Sequence, residues 1–119
     1  DEGHCGKAPP DYLPGMVDAQ RARDAVMASA MARHADRGAV LIAGNGHVRR
    51  DFGVPMYLAS RGAGADIVSV GFIEVDIDRP VPEHYAAAAD REFDIVWFTT
   101  RVERQDPCAG IAFGKIDGP

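Results

Sequence analysis

The sequence predicts an α/β fold, a mostly parallel sheet flanked by helices, built as a βαβαβ run preceded by one long helix. Three segments, residues 39–43, 66–75 and 93–99, are dense in Val, Ile, Phe or Trp and do not alternate cleanly between polar and apolar, the pattern of strands covered on both faces. Helical stretches separate them, and this alternation implies right-handed crossovers between parallel strands. The length supports the same reading. At 119 residues, with 46% hydrophobic and 26% charged, the chain can bury one core and is too short for two ordinary domains, so residues 1–119 are expected to form a single α/β domain.

Each element has its own signal. Residues 1–15 hold Gly6, Pro9, Pro10 and the Pro14-Gly15 pair, which resist regular structure and read as loop. Residues 16–37 are rich in Ala, Met, Arg and Gln, with no Gly or Pro until Gly38, and read as the long helix. On its wheel Gln20, Arg23, Asp24, Met27, Met31 and His34 share a stripe, polar at its start and apolar in its middle. Two readings follow: a core-facing methionine stripe whose polar end emerges into water, or Gln20, Arg23 and Asp24 at the rim of a pocket. Short helices are expected over residues 54–61, with Pro55 in the first turn and Gly62 beyond the end, and over residues 82–91, opened by Pro82. From Thr100 onward periodicity is lost and the chain reads as an irregular tail.

Charge and composition exclude several partners. A net charge of -5 provides no sequence-wide basic field of the kind that phosphate backbones select, so nucleic acid is not expected as a partner. No apolar run approaches the ~20 residues that cross a bilayer, and the first residues, Asp1-Glu-Gly-His-Cys5, lack the pattern of a signal peptide. The abrupt acidic and glycine-rich start reads as that of an excised or processed piece. Cys5 and Cys108 are either two unrelated thiols or, in an oxidising compartment, a staple between the ends of the domain, and composition does not decide.

Chemistry is expected at Val40-Leu-Ile-Ala-Gly-Asn-Gly-His47, where an apolar run breaks at glycines and delivers a histidine. In open parallel sheets ligands bind beyond the carboxyl ends of strands, and His47 lies four residues past such an end. Gly44 and Gly46 allow close approach of a ligand, and Asn45 offers an amide. His47 suits ligation of a metal or haem iron through a neutral ring nitrogen, or acid–base work near neutral pH. Arg49 and Arg50 suit carboxylates or phosphates. The bland alternative is a common strand-to-helix turn with solvated charges, since the third glycine and downstream acid of a dinucleotide fingerprint are lacking. His84 and Tyr85 open a surface helix, and His34 sits favourably near a helix C-terminus. If Cys5 is tied to Cys108, His4 is held near Thr99, Thr100 and Arg101, on the same rim as His47. There is no nucleophile elbow, paired catalytic carboxylates, Walker loop or His-Glu-x-x-His element.

Met16-Val-x-Ala19-Gln20-x-x-Arg23-Asp24-Ala25-x-Met27-Ala28, Gly44-Asn-Gly-His47-x-Arg49-x-Asp51-x-Gly53-Val-Pro55, Ser69-Val-Gly-Phe72 and Asp106-Pro-Cys108 together resemble the ChaN-like proteins, the haem-binding uptake branch of the Tiki superfamily. The resemblance runs over nearly the whole chain, including His4-Cys-Gly6, and is to the C-terminal part of such a protein. The family's Gly-Glu-x-His type motif has no counterpart here, so residues 1–119 are alternatively the C-terminal portion of a larger ChaN-like domain. The resemblance implies an exported bacterial α/β protein, often a lipoprotein, periplasmic or outer-membrane associated, that reaches the membrane only through an anchor outside this chain. It implies haem or iron binding, with His47 or Tyr57 as iron ligands and Arg49 or Arg50 on the propionates. Within the same pocket fall Asn45, Gln20, Arg23, Asp24 and His4. The alternative is a metal-dependent hydrolase of the Tiki/erythromycin-esterase type using the Gly-x-x-His motif at Gly44 to His47, with His47 as a ligand of a divalent metal. Export also makes a Cys5–Cys108 disulfide the expected state, closing a loop of about 100 residues worth ~4 kcal/mol in the chain-entropy model. A half sheet with an uncovered edge tends to pair, so a homodimer is a further expected partner.

Overall fold

The computed structural model describes residues 8–63, 67–85, 91–103, 105–106 and 108–109. A 3-10 turn, Pro10–Tyr12, leads into helix α1, Leu13–Ala32. Short helices α2, Asn45–Val48, and α3, Val54–Leu58, follow, and then strands β1, Val70–Val75, and β2, Ile95–Thr100. The strands pair in parallel with Val70 opposite Ile95 and Val75 opposite Thr100. This small α/β arrangement of a long helix, further helices and a parallel strand pair is of the expected class. Contacts group residues 1–20 with 103–119 as one compact unit and residues 21–102 as another.

Several boundaries differ from expectation, each for a local reason. Helix α1 begins at Leu13, so Pro14 and Gly15 lie inside it, because a proline in the first turn has no intrahelical N–H bond to lose. It ends at Ala32, and the chain reaches Gly38 through tight turns in which His34 N–H donates to Met31 O and Arg37 N–H to His34 O. Gly38 sits at φ 79, the left-handed region in which glycine is at no disadvantage. The helix expected over residues 54–61 is α3 followed by a wider turn, Ala59–Ala63, closed by Gly62 at φ 85. Only a 3-10 turn, Pro82–His84, is present where the third short helix was expected, and residues 86–90 of that helix lie outside the described residues.

The largest departure is residues 39–43. They have no regular structure and pair with no strand among the described residues, and the described sheet has two strands, β1 and β2. Val40 is 91% exposed and Ile42 is 94% exposed, while Leu41 between them packs on the core.

That core is centred on Ala28, Val54 and Leu58, with Met27, Met31, Leu41, Tyr57 and Ile67 packed against it. The methionine stripe therefore faces inward as the wheel suggests, and Gln20 and Arg23 are exposed. Ser29 Oγ bonds back to Ala25 O at 2.7 Å and accepts from Arg61 at 2.8 Å, tying α1 to the turn after α3. Beneath the sheet, Phe93 is buried against Gly71, where an added Cβ would stand 2.7 Å from its ring.

The two strands are joined at their N-terminal ends by one carboxylate. Asp94 Oδ2 accepts from Ser69 N–H at 2.7 Å and from Arg50 at 2.6 Å, and Asp94 N–H returns a bond to Ser69 O at 3.0 Å. The Ser69 N–H bond, aided by the Arg50 guanidinium, holds the Asp94 carboxyl below its ordinary value of 3.8. A carboxylate with a lowered folded pKa contributes stability above its unfolded pKa, and that stability is lost as pH falls through the folded value. Asp94→Asn is therefore expected to cost about 1–2 kcal/mol near neutral pH and to flatten the acid limb of stability. Denaturant melts of both proteins near neutrality and in strong acid measure this, and equal losses on acidification would show that Asp94 is not the group responsible.

Candidate functional site

The loop after residues 39–43 folds back along the open edge of β1. Asn45 Nδ2 donates to Phe72 O at 2.7 Å, and Phe72 N–H donates to Asn45 Oδ1 at 3.3 Å. Three residues later Val48 O accepts from Ser69 Oγ, and Arg50 N–H donates to Glu92 O at 2.8 Å. The side-chain amide of Asn45 thus takes the place of a neighbouring strand at Phe72. The amide expected to face a ligand is thus engaged with backbone and clamps the loop to the edge of β1.

This path carries His47 to helix α1. Its Nδ1 lies 2.6 Å from Asp24 Oδ1. Asp24 is 4% exposed, on the same helix face as Ala28 and Met31, and His47 is half-buried. A buried carboxyl oxygen on an apolar face needs a hydrogen-bond donor, and the histidine provides it. In the neutral tautomer that donates Nδ1–H to Asp24, the other ring nitrogen, Nε2, carries a lone pair. The arrangement can do two things chemically: ligate a metal through Nε2, or use Nε2 as a base.

The two arginines have partners within the protein. Arg49 bonds Asp51 at 2.9 and 2.6 Å, pairs with Glu92 at 2.5 Å and lies over the Phe52 ring at 4.3 Å. Its hydrogen bond to Asp51 raises the Arg49 pKa and holds the Asp51 carboxyl below its ordinary value. Arg50 pairs with Asp94 and reaches Ile67 O at 3.4 Å. These pairs strap the His47 loop to residues 92–94.

The other expected site residues are placed as follows. Tyr57 is half-buried and packs on the core. Arg23 is exposed one residue before Asp24, Gln20 belongs to the other compact unit, and His4 lies outside the described residues. Arg101 pairs with Asp76, and Thr99 Oγ1 bonds Ile73 O at 3.5 Å, so these residues close the far end of the sheet and make no hydrogen bond or ion pair with His47. His34 and His84 are exposed. Among the described residues no group of three His, Cys, Asp or Glu side chains is placed to hold a metal ion. Cys108 is not a free thiol and sits in a turn where its N–H donates to Asp106 Oδ1 at 2.8 Å, while Cys5 lies outside the described residues.

Ser69, Glu92 and Asp94 support the site without having been expected to. The only hint was complementary charge, Arg49-Arg50 against the Glu92-x-Asp94 pair, and a separation of 44 residues between Arg50 and Asp94 leaves no local pattern to read.

Residues 1–58 match the family model described as haem-binding uptake, Tiki superfamily, ChaN. Over these residues the chain is similar to that family. The ChaN-like stretch contains α1, α2 and α3, and with them both members of the Asp24–His47 pair. Ser69 to Phe72 and Asp106 to Cys108, which also carry the resemblance, lie beyond it. Neither a curated protein nor a solved structure gives a significant match.

Gly53 sets the path of this ChaN-like loop. A Cβ there would collide with the His47 carbonyl and stand 2.7 Å from Arg49 O, both backbone atoms that cannot rotate away. Gly53→Ala is expected to destabilise by about 1–3 kcal/mol and to shift the His47 ring away from Asp24. Thermal melts and the ring-proton NMR signals of His47 report both effects, and an unmoved ring would show that the loop path does not depend on Gly53.

Proposed function

We propose that this chain binds haem or iron, with His47 Nε2 as the iron ligand and Asp24 as the group that aims it. The observation that carries this reading is the 2.6 Å bond between His47 Nδ1 and the buried Asp24 carboxyl. Histidines that ligate metals usually donate their second ring nitrogen to a carboxylate or carbonyl, which fixes the tautomer and the ring direction. The donor set suits haem better than a bare ion. A porphyrin supplies the equatorial ligands and asks one side chain of the protein, whereas a bare divalent ion asks three or four. His47 answers the first demand, and the ChaN family match is described as haem-binding. Arg23, exposed beside Asp24, is the cation best placed to meet a propionate, because Arg49 and Arg50 are held by Asp51, Glu92 and Asp94. Bound haem would supply a redox-active iron, and this chain's part is to hold His47 in one orientation.

The same bond favours one second reading. An imidazole oriented by a carboxylate is also a base, and in a metal-dependent hydrolase His47 would act beside ligands from outside the described residues. Export to the periplasm or outer membrane belongs with the haem-uptake reading, as does a Cys5–Cys108 bond. The lack of a free thiol at Cys108 supports that bond. Non-reducing peptide mapping of oxidised protein is expected to recover Cys5 and Cys108 in one linked fragment, and recovery of both as thiols would remove it.

Haemin titration followed at the Soret band tests the main reading. Wild type should give a saturable shifted band, His47→Ala should lose it, and Asp24→Asn should keep it with affinity lowered ~10–100-fold. Circular dichroism of each variant establishes that the fold is retained. Equal haem binding by wild type and His47→Ala would sink His47 as the ligand. Metal-dependent turnover of an ester or peptide panel, without haem binding, would replace the haem reading with the hydrolase.

A further inference from the structure

Asn45 is the only asparagine in the 119-residue chain, and the residue after it is Gly46. An asparagine followed by glycine is the pairing most open to spontaneous deamidation, because the next backbone nitrogen reaches the side-chain amide carbon with no Cβ in its way. Nothing in the fold asks for glycine at this position. A Cβ added at Gly46 would meet no atom within 4 Å, and its φ lies outside the left-handed region. Both residues are exposed to water. Gly46 is second in α2, where a backbone N–H has no intrahelical acceptor.

Two features hold the reaction back. The Asn45 amide is bonded at both ends to the Phe72 backbone, Nδ2 donating to O at 2.7 Å and Oδ1 accepting from N–H at 3.3 Å. The helical turn of α2 also keeps the Gly46 nitrogen away from Asn45 Cγ. We propose that Asn45-Gly46 is a self-modification site whose conversion releases the loop carrying His47. When the Phe72 pair opens, the Gly46 nitrogen attacks Asn45 Cγ and a C–N bond forms. The Cγ–Nδ2 bond breaks, and Nδ2 leaves with the Gly46 proton as ammonia. Water then opens the succinimide at either carbonyl and leaves an aspartyl or isoaspartyl residue at position 45. Amide and water become acid and ammonia, so no other reactant is needed.

The product cannot close the same latch. A carboxylate has no N–H for Phe72 O, so two oxygens would face each other where a 2.7 Å bond stood. Asn45 and Phe72 also line an apolar cleft of about 740 Å³ beside β1, with Leu41, Ile42 and Val70 among its walls and no charged side chain. A new negative charge finds no counterion there and turns to water. The isoaspartyl form moves farther still, since its side-chain methylene then lies in the main chain two residues before His47.

The proposal does not need the haem reading and is tested on the chain alone. Wild type aged in warm, mildly alkaline buffer should gain the mass of an amide-to-acid exchange, and peptide mapping should place it at position 45. Asp117-Gly118 can isomerise too, but without releasing ammonia or changing mass. Protein unfolded in urea should convert at least ~10-fold faster than folded protein. Gly46→Ala should slow conversion at least ~10-fold and keep the wild-type circular dichroism. Ser69→Ala, which frees Val48 O from its clamp, should speed conversion of the folded chain about 3–10-fold. The His47 ring-proton signals should shift in the purified converted protein and in Asn45→Asp. Equal rates in folded and unfolded wild type would overturn the proposal, as would equal rates in wild type and Gly46→Ala. So would an unchanged rate in Ser69→Ala, or converted protein whose His47 signals match those of fresh protein.

Discussion

A carboxyl group on the apolar face of a helix has to find a donor or leave that face, and Asp24 finds one 23 residues away in His47. Ala28 and Met31 follow Asp24 at helical spacing and are held against Val54 and Leu58, so the face cannot turn to bring Asp24 into water without opening the core. The loop carrying His47 must instead come to the helix. Most of the ordered loop geometry between residues 44 and 53 serves that requirement.

The loop arrives because it is fastened along its length to elements distant in sequence. Asn45 is fixed to the Phe72 backbone, Val48 to Ser69, and Arg50 to Asp94 and Glu92. Ser69 and Asp94 are themselves the start of the strand pairing, so the register of β1 against β2 and the position of His47 share the same few bonds. Gly53 allows the return, since the backbone crosses so near the His47 and Arg49 carbonyls that any side chain would block it. Charge does part of this work. Arg49 and Arg50 each meet a carboxylate at hydrogen-bonding distance and so tie the loop to its neighbours.

The sequence made the class of fold and the location of the site legible, and local signals explain why. Proline and glycine punctuation placed α3 and the turn that closes it, and the apolar runs placed β1 and β2 within a few residues. His47 was marked by its glycines, and Asp24 by its place in the polar start of the helix stripe, with Gln20 and Arg23. What the sequence did not reveal is what each polar side chain bonds. Asn45 and Arg50 read as ligand contacts because their partners, the Phe72 backbone and Asp94, are 27 and 44 residues distant, and no periodicity links positions so separated. Residues 39–43 read as a strand for a sound reason, apolar and β-branched content, but a strand is a relation between two segments and composition describes only one of them.

That unpaired segment and the histidine loop are one continuous piece of chain, and the Asn45 contact joins their fates. Phe72 turns both its N–H and its C=O toward the cleft, and Asn45 satisfies both. Asn45 therefore occupies the edge of β1 at Phe72 while it anchors the loop. Because His47 is two residues from Asn45 and its ring is fixed by Asp24, the Asn45 anchor and the Asp24 bond together narrow the orientations open to Nε2.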